Sequence, residues 1–130
     1  ANPGYFIGID DKNKCILLCI RGTETIGDTL TDLDAHVANK PFGYDDEDES
    51  SEHNYNCHHG MYDSAMSIYN DVTFKIKELS AKREYKDYKI LITGHSLGAG
   101  VCSMLGLIWK SQKVFADDEF KCFSFASPLI

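Results

Sequence analysis

The chain has 130 residues, which suits one domain with its own hydrophobic core and is too short for two. Hydrophobic residues make up 43% and charged residues 25%, as in an ordinary soluble globular protein. The formal net charge of −7 argues against a surface that attracts nucleic acid or anionic lipid headgroups by charge alone. We therefore expect a single domain over residues 1–130 and no nucleic-acid partner.

The first half of the chain predicts two strands, a short helix and a loop, in that order. "YFIGID" (5–10) and "KCILLCIRG" (14–22) are apolar runs joined by a turn-like segment, so each predicts a strand. "TETIGDTLTDLDAHV" (23–37) mixes helix formers with capping residues and predicts a short helix. "NKPFGYDDEDESSEHNYN" (39–56) carries a proline, a glycine and an acidic run, and predicts a solvated loop.

The second half predicts a helix, a strand, a second helix and a last strand. From Tyr62 to Leu79 apolar residues recur at gaps of three and four, which predicts an amphipathic helix. "YKILITG" (88–94) and "FKCFSFA" (120–126) predict buried strands, and the apolar segment between Ser96 and Gln112 predicts a buried helix. Helices that alternate with aliphatic strands predict an α/β fold, with a mostly parallel sheet covered on both faces.

Cysteine usage favours a reducing compartment. The five cysteines are Cys15, Cys19, Cys57, Cys102 and Cys122. Their number is odd, and four of them lie in apolar stretches. Buried free thiols explain this pattern better than a disulfide framework, so an intracellular location is expected. The longest apolar stretch, residues 97–109, is shorter than the roughly 20 residues that a membrane span requires.

A glycine-rich turn, "ITGHSLGAG" (92–100), joins the predicted strand to the buried helix. Gly94, Ser96 and Gly98 form a G-x-S-x-G motif, whose structural context in a nucleophile elbow is this strand-to-helix turn. Ser96 would then be a strained, accessible nucleophile, with His95 before it and the N–H of Leu97 beside the developing oxyanion. The alternative is a glycine-rich turn in which Ser96 only caps the helix.

A second motif follows the predicted strand 14–22. Gly22 allows close approach of the backbone, and Thr23 offers both an N–H and a hydroxyl at the end of that strand. Sites in open α/β sheets gather where strands end. The alternative is a plain strand exit with a helix cap.

Four segments together resemble one family. "IRGT…TDL", "HHGM", "ITGHSLGAG" and "KCFSFASP" have the order and spacing of the class 3 lipases, and look most like the intracellular sn-1-specific diacylglycerol lipase branch. The resemblance extends from about Tyr5 to Pro128 and fails only across the acidic loop.

The resemblance implies an α/β-hydrolase fold and a lipid ester substrate. It implies Ser96 as the nucleophile, with Thr23 and the N–H of Leu97 as the oxyanion hole, and His95 as an elbow residue that is not the base. It also implies that residues 25–34 lie where related lipases carry a mobile lid. "HHGM", with His58, matches a family signature that we interpret as structural.

The acid and the base of a serine triad are missing from the sequence. In this fold the chain order is serine, acid, histidine, but no histidine follows Ser96. The acids that follow it are Asp117, Asp118 and Glu119. In the family both residues come after the strand that corresponds to "FSFASP". We therefore expect the N-terminal part of the fold, with the triad Asp and His not in this chain.

A metal site is the less favoured interpretation of the remaining histidines. His53, Cys57, His58 and His59 are potential ligands, but adjacent side chains point apart and no second cluster accompanies them. The acidic run 45–49 lacks the glycine and alternation of a calcium loop. No metal or cofactor is expected.

Several functions fit these observations. The first is a serine hydrolase that cleaves acylglycerol esters through an acyl-Ser96 intermediate, with peripheral contact to a lipid interface. A phospholipase A1, a soluble carboxylesterase and an acyltransferase would use the same intermediate. The contrasting alternative is a non-catalytic module that lacks the triad, although an intact Gly94-Ser96-Gly98 elbow has no use in a scaffold.

Overall fold

The computed structural model describes residues 4–22, 37–41, 54–125 and 127, and for 37–41 and 54–59 it describes the backbone alone. The helix predicted within 23–37 and the proposed lid, residues 25–34, lie outside these residues. Thr23 and the acidic run 45–49 lie outside them as well.

The described chain forms strands and helices in nearly the predicted order. The strands are β1 (Tyr5–Asp10), β2 (Cys15–Ile20), β3 (Val37–Pro41), β4 (Asn54–His58), β5 (Lys89–His95) and β6 (Phe120–Phe125). The helices are α1 (His59–Ala81) and α2 (Leu97–Ser111), with a 3₁₀ turn at Arg83–Tyr85 between α1 and β5.

A four-stranded sheet organises the fold in the order β1-β2-β5-β6. β1 is antiparallel to β2, whereas β2, β5 and β6 are parallel to one another. The predicted α/β class with a mostly parallel sheet is thereby confirmed. Since parallel strands point the same way, the carboxyl ends of β2, β5 and β6 meet at one edge of the sheet, and this edge carries Ser96.

One face of this sheet forms the core with both described helices. The register aligns Ile16 with Ile90 and Ile90 with Phe120, and alternate residues of each strand share that face. Ile16, Leu18, Ile20, Ile90 and Ile92 are buried in one cluster with side chains of α1 and α2. Aliphatic side chains on adjacent parallel strands thus specify where the helices pack.

A second sheet corrects one prediction. β3 and β4 pair antiparallel, with Val37 opposite His58 and Pro41 opposite Asn54. The loop predicted over 39–56 is therefore wrong at both ends, although residues 42–53 lie outside the description. The two strands are short and polar, and Pro41 ends one of them, so neither shows the apolar alternation that identifies a strand from sequence.

The two helices differ in burial, as the sequence predicts. α1 begins at His59, three residues before the predicted Tyr62, and buries one stripe against the core: Met61, Ala65, Ile68, Val72 and Ile76. α2 is buried on most sides, and Trp109 in its last turns is fully buried. Phe115 and Phe120 meet the Trp109 ring edge-on, at centroid distances of 4.9 and 5.7 Å. This packing holds the far end of α2 in place.

A buried hydrogen bond between the two helices gives a stability prediction. Trp109 Nε1 donates to Thr73 Oγ1 at 2.9 Å, and Thr73 is only 9% exposed. Thr73→Val keeps the shape but leaves the indole N–H unsatisfied, so we expect a loss of about 1–3 kcal/mol in the free energy of unfolding. Tyr69→Phe is the matched control, because it removes an exposed bond from α1 to Gln112, and we expect it to cost less than about 0.5 kcal/mol. Urea unfolding measures both, and equal losses would contradict the prediction.

Within the described ranges, neither α1 nor α2 combines the length and the apolar character needed to cross a bilayer.

Candidate active site

Ser96 occupies the turn between β5 and α2. β5 ends at His95 and α2 begins at Leu97, so Ser96 is the single residue between them. Its backbone has φ 56° and ψ −122°, a region that residues with a side chain rarely adopt. Such a conformation costs about 1–3 kcal/mol and persists only when the surroundings enforce it. The strained strand-to-helix turn expected for a nucleophile elbow is therefore present at Ser96.

Backbone hydrogen bonds from two elements hold this conformation. The N–H of Ser96 donates to the carbonyl of Phe125 in β6 at 2.9 Å. The carbonyl of Ser96 accepts from the N–H groups of Ala99 and Gly100, at 3.0 and 3.2 Å. Ser96 is thus fixed on one side by the neighbouring strand and on the other by the first turn of α2.

Three glycines allow three backbone segments to pack closely around Ser96. A Cβ atom on Gly94 would lie 2.8 Å from the N of Ala99, and one on Gly98 would lie 2.9 Å from the carbonyl of Arg21. A Cβ atom on Gly22 would lie 2.5 Å from the carbonyl oxygen of His95. Real Cβ contacts are essentially never this short. Side chains at these positions would separate the end of β2, the end of β5 and the start of α2.

The residues predicted to form an oxyanion hole are brought together in part. Leu97 is the first residue of α2, so its N–H lies beside Ser96 at the positive end of a 15-residue helix. Gly22 packs against His95 and the start of α2, which brings the end of β2 to the same place. Thr23 follows Gly22 in the chain, but its own position lies outside the described residues. The role of Thr23 stays a prediction.

The histidine before Ser96 lies on the surface. His95 is exposed at the end of β5. Ser96 itself is half-buried, and among the described residues no histidine or carboxylate hydrogen-bonds its hydroxyl. The base that would activate Ser96 is therefore not found within this part of the chain.

The metal interpretation gains no support from the described ranges. No group of three or more histidines, cysteines or acids capable of holding an ion occurs there. The side chains of the candidate ligands, His53, Cys57, His58 and His59, lie outside those ranges.

Sequence reasoning missed the contribution of β6. Besides the Phe125 carbonyl, β6 presents Cys122 and Ser124 to α2. Ser124 Oγ lies 2.6 Å from Ser103 Oγ and donates to the carbonyl of Ala99 at 3.3 Å. The alternation in "FKCFSF" carries the signal, since it puts Cys122 and Ser124 on the same face as Phe120. That this face meets the first turns of α2 is seen only in the three-dimensional structure.

This geometry defines an α/β-hydrolase-type sheet with a serine elbow at the carboxyl end of a central strand. Comparison with known proteins gives the family. The family model described as lipase (class 3) matches residues 17–130. The chain therefore belongs to the class 3 lipase family, as the four sequence motifs indicate.

A curated relative supports the assignment. Human diacylglycerol lipase-alpha is 28% identical over 129 residues, a match that covers 95% of this chain and 11% of the human protein. The chain thus spans about a tenth of the length of that relative.

Solved lipase structures share the fold. The native lipase–propeptide complex of Rhizomucor miehei aligns with a TM-score of 0.75 at 20% identity, covering 97% of this chain and 37% of that one. A triacylglycerol lipase from Penicillium expansum aligns with a TM-score of 0.75 at 22% identity, covering 96% and 46% respectively. The four-stranded sheet and its helices correspond to less than half of each solved lipase.

Proposed function

We propose that the protein carrying this chain is a serine hydrolase that cleaves carboxylic esters of acylglycerols. One observation carries the proposal: Ser96 is held at φ 56° between β5 and α2, in a turn that only glycines allow to close, in a member of the class 3 lipase family. A strained serine at a helix N-terminus is suited to acyl transfer, because the hydroxyl is accessible and the helix favours the developing charge.

Each group of the elbow has a defined task in this chemistry. Ser96 Oγ attacks the acyl carbon while its proton passes to a histidine base, which we assign to a part of the protein outside the described residues. The carbonyl electron pair moves onto oxygen, where the N–H of Leu97 and the N–H or hydroxyl of Thr23 stabilise it. Collapse of this intermediate expels the glyceride alcohol, which takes the proton. Water then releases the fatty acid by the same steps.

The substrate class is inferred from the relatives. One curated relative is named as a diacylglycerol lipase and one solved neighbour as a triacylglycerol lipase, so we assign acylglycerols to this chain. Residues 25–34, proposed as the lid, carry apolar Ile26 and Leu30, which suits peripheral contact with a lipid interface.

An intracellular location is part of the proposal. Within the described residues the cysteines are free thiols: Cys15, Cys19, Cys102 and Cys122. Free thiols in these numbers are typical of a reducing compartment.

The test is release of fatty acid by the full-length protein from mixed micelles of diacylglycerol, triacylglycerol or phosphatidylcholine, and from a soluble short-chain ester. We expect the acylglycerols to be cleaved fastest, and Ser96→Ala to release none above background. Faster cleavage of phosphatidylcholine would replace the proposal with a phospholipase. Cleavage of the soluble ester alone would replace it with a carboxylesterase, and no cleavage of any ester would favour the non-catalytic module.

A further inference from the structure

Two cysteine thiols meet where α2 packs against β6. Cys102 lies in the second turn of α2 and Cys122 in the middle of β6, and their Sγ atoms are 3.0 Å apart. A disulfide has an S–S length of about 2.0 Å, so the two sulfur atoms need to move by only about 1 Å to bond. Both cysteines are free in the structure.

The two thiols differ in their exposure. Among the described residues, Cys102 is fully buried in the core, whereas Cys122 keeps part of its surface uncovered. Because Cys102 is enclosed by the core, we assign Cys122 as the thiol that meets the oxidant first. This is the arrangement of an attacking thiol with a resolving partner.

Hydrogen bonds make Cys122 the more acidic of the pair. The hydrogen bond from the Cys102 thiol is the largest cause that lowers the pKa of Cys122, to about 6; burial opposes it, and the hydroxyls of Ser124 and Ser103 add to it. The same Cys102–Cys122 bond, with burial, raises the pKa of Cys102 far above its ordinary value. The pair thus shares one proton near neutral pH, with the charge on Cys122.

Among the described residues, the neighbouring groups that shift the two pKa values are thiols and hydroxyls. They are the partner thiol, the hydroxyls of Ser103 and Ser124, and Cys19 on β2, which acts on Cys102.

Cys15 and Cys19 provide internal controls. They alternate with the core residues Ile16 and Leu18 of β2, so they lie on the sheet face opposite the two helices. Cys15 Sγ has the carbonyl of Asn13 as its partner, at 3.4 Å. Neither cysteine is paired with a second thiol by a described hydrogen bond.

We propose that Cys102 and Cys122 form a reversible oxidation site that a peroxide converts to an intramolecular disulfide. The Cys122 thiolate attacks one peroxide oxygen, the O–O bond breaks, and the products are a sulfenic acid and water after one proton is taken up. The Cys102 sulfur then displaces the sulfenic hydroxyl, which leaves as water with the Cys102 proton. In sum, two thiols lose two hydrogens, and hydrogen peroxide is reduced to two waters.

The disulfide would join the elbow helix to the strand that anchors the nucleophile. The Phe125 carbonyl, three residues after Cys122, accepts the Ser96 N–H. Ser124 bonds the carbonyl of Ala99 in the first turn of α2. The proposed oxidation site therefore lies in the same contact between α2 and β6 that positions Ser96. The oxidation of the two thiols does not depend on the proposed ester hydrolysis.

Peptide mapping of the full-length protein tests the site. The reduced protein is treated with hydrogen peroxide, its remaining thiols are blocked with N-ethylmaleimide, and it is digested with trypsin, which puts Cys102 and Cys122 on separate peptides. We expect these two peptides to be linked, and to separate after treatment with dithiothreitol. Cys19→Ser is expected to keep the link. Cys122→Ser is expected to lose it and leave Cys102 reduced.

Three results would overturn the proposal. Both cysteines could be recovered fully alkylated after peroxide treatment, Cys122 could be oxidised to a sulfinic acid without any link, or Cys15 or Cys19 could form links as readily as the pair. Circular dichroism of Cys122→Ser distinguishes loss of the thiol from loss of the fold, and Cys102→Ser provides a second variant on the other side of the bond.

A rate measurement tests the acidity of Cys122 separately. A thiol with a pKa near 6 is almost fully thiolate at pH 8 and still about half thiolate at pH 6, so its alkylation rate in the reduced protein should fall only about twofold over this range. An ordinary thiol with a pKa near 8.5 slows roughly seventyfold over this range. Cys102→Ala removes the largest hydrogen bond to Cys122 and should restore the steep dependence. A steep dependence in the wild-type protein would contradict the shared proton.

Discussion

Replacement of Ser96 by alanine is expected to abolish labelling of the full-length protein by a fluorophosphonate probe and to reduce ester hydrolysis about 10⁵–10⁶-fold, as loss of the nucleophile does in serine hydrolases. The probe reacts only with a serine hydroxyl that a base has activated. Alanine keeps the Cβ atom and therefore the strained backbone of the elbow. The loss of labelling and hydrolysis is then caused by the missing hydroxyl and not by a relaxed backbone at the turn.

The matched control is Ser111→Ala at the opposite end of α2. The Ser111 hydroxyl donates to the carbonyl of Ile108, at 3.0 Å, and lies in the last turn of the helix. This variant should be labelled at the wild-type rate. Intact mass and the labelled peptide identify the site. Labelling that persists in Ser96→Ala, or labelling at a serine other than Ser96, would exclude Ser96 as the nucleophile.

Replacement of Gly98 by alanine is expected to destabilise the protein by about 3 kcal/mol and to abolish labelling at Ser96. The new Cβ would lie 2.9 Å from the carbonyl carbon and oxygen of Arg21, and closer still to the carbonyl oxygen of Ile20. Backbone atoms cannot move aside as the end of a side chain does, so β2 and α2 would have to separate. The elbow would then lose the close packing that keeps the end of β2 beside Ser96.

Gly106→Ala in the same helix is the control that separates crowding from helix propensity. A Cβ on Gly106 would lie 3.5–3.8 Å from side chains of Ile92, Cys122 and Phe120, which is ordinary contact. Since alanine is the better helix former, we expect Gly106→Ala to be neutral or to stabilise by up to about 1 kcal/mol. Thermal unfolding measures both variants. A Gly98→Ala protein as stable as the Gly106→Ala protein would show that the contact with β2 is not required.

Sequence patterns predicted the parts of the fold that rest on local chemistry. The spacing of apolar residues identified α1 and α2, the aliphatic runs identified β2 and β5, and Gly94 and Gly98 located the turn at Ser96. Each of these signals lies within the element that it predicts. The family resemblance added the α/β-hydrolase fold, which the family match and the solved lipases confirm.

The parts that were not predicted depend on partners distant in sequence. β3 and β4 pair across a long connection, and their polar residues carry no periodic signal. The contact of Cys102 with Cys122 and the bond from Ser96 to Phe125 both depend on the register between β5 and β6. Local patterns do not fix that register. Thr23 and the triad acid and base stay predictions, because they lie outside the described residues.

The hydrogen bond from Ser96 to Phe125 has a consequence for the order of folding. The strained turn lies at residues 94–98, but one hydrogen bond that holds it comes from β6, which is synthesised after α2. Before β6 docks, the backbone at Ser96 has no partner on that side and is free to relax to an ordinary conformation. In a nascent chain that has not yet formed β6, Ser96 therefore lacks one of the hydrogen bonds that hold its conformation. Ser96 reaches its final conformation only when β6 pairs with β5.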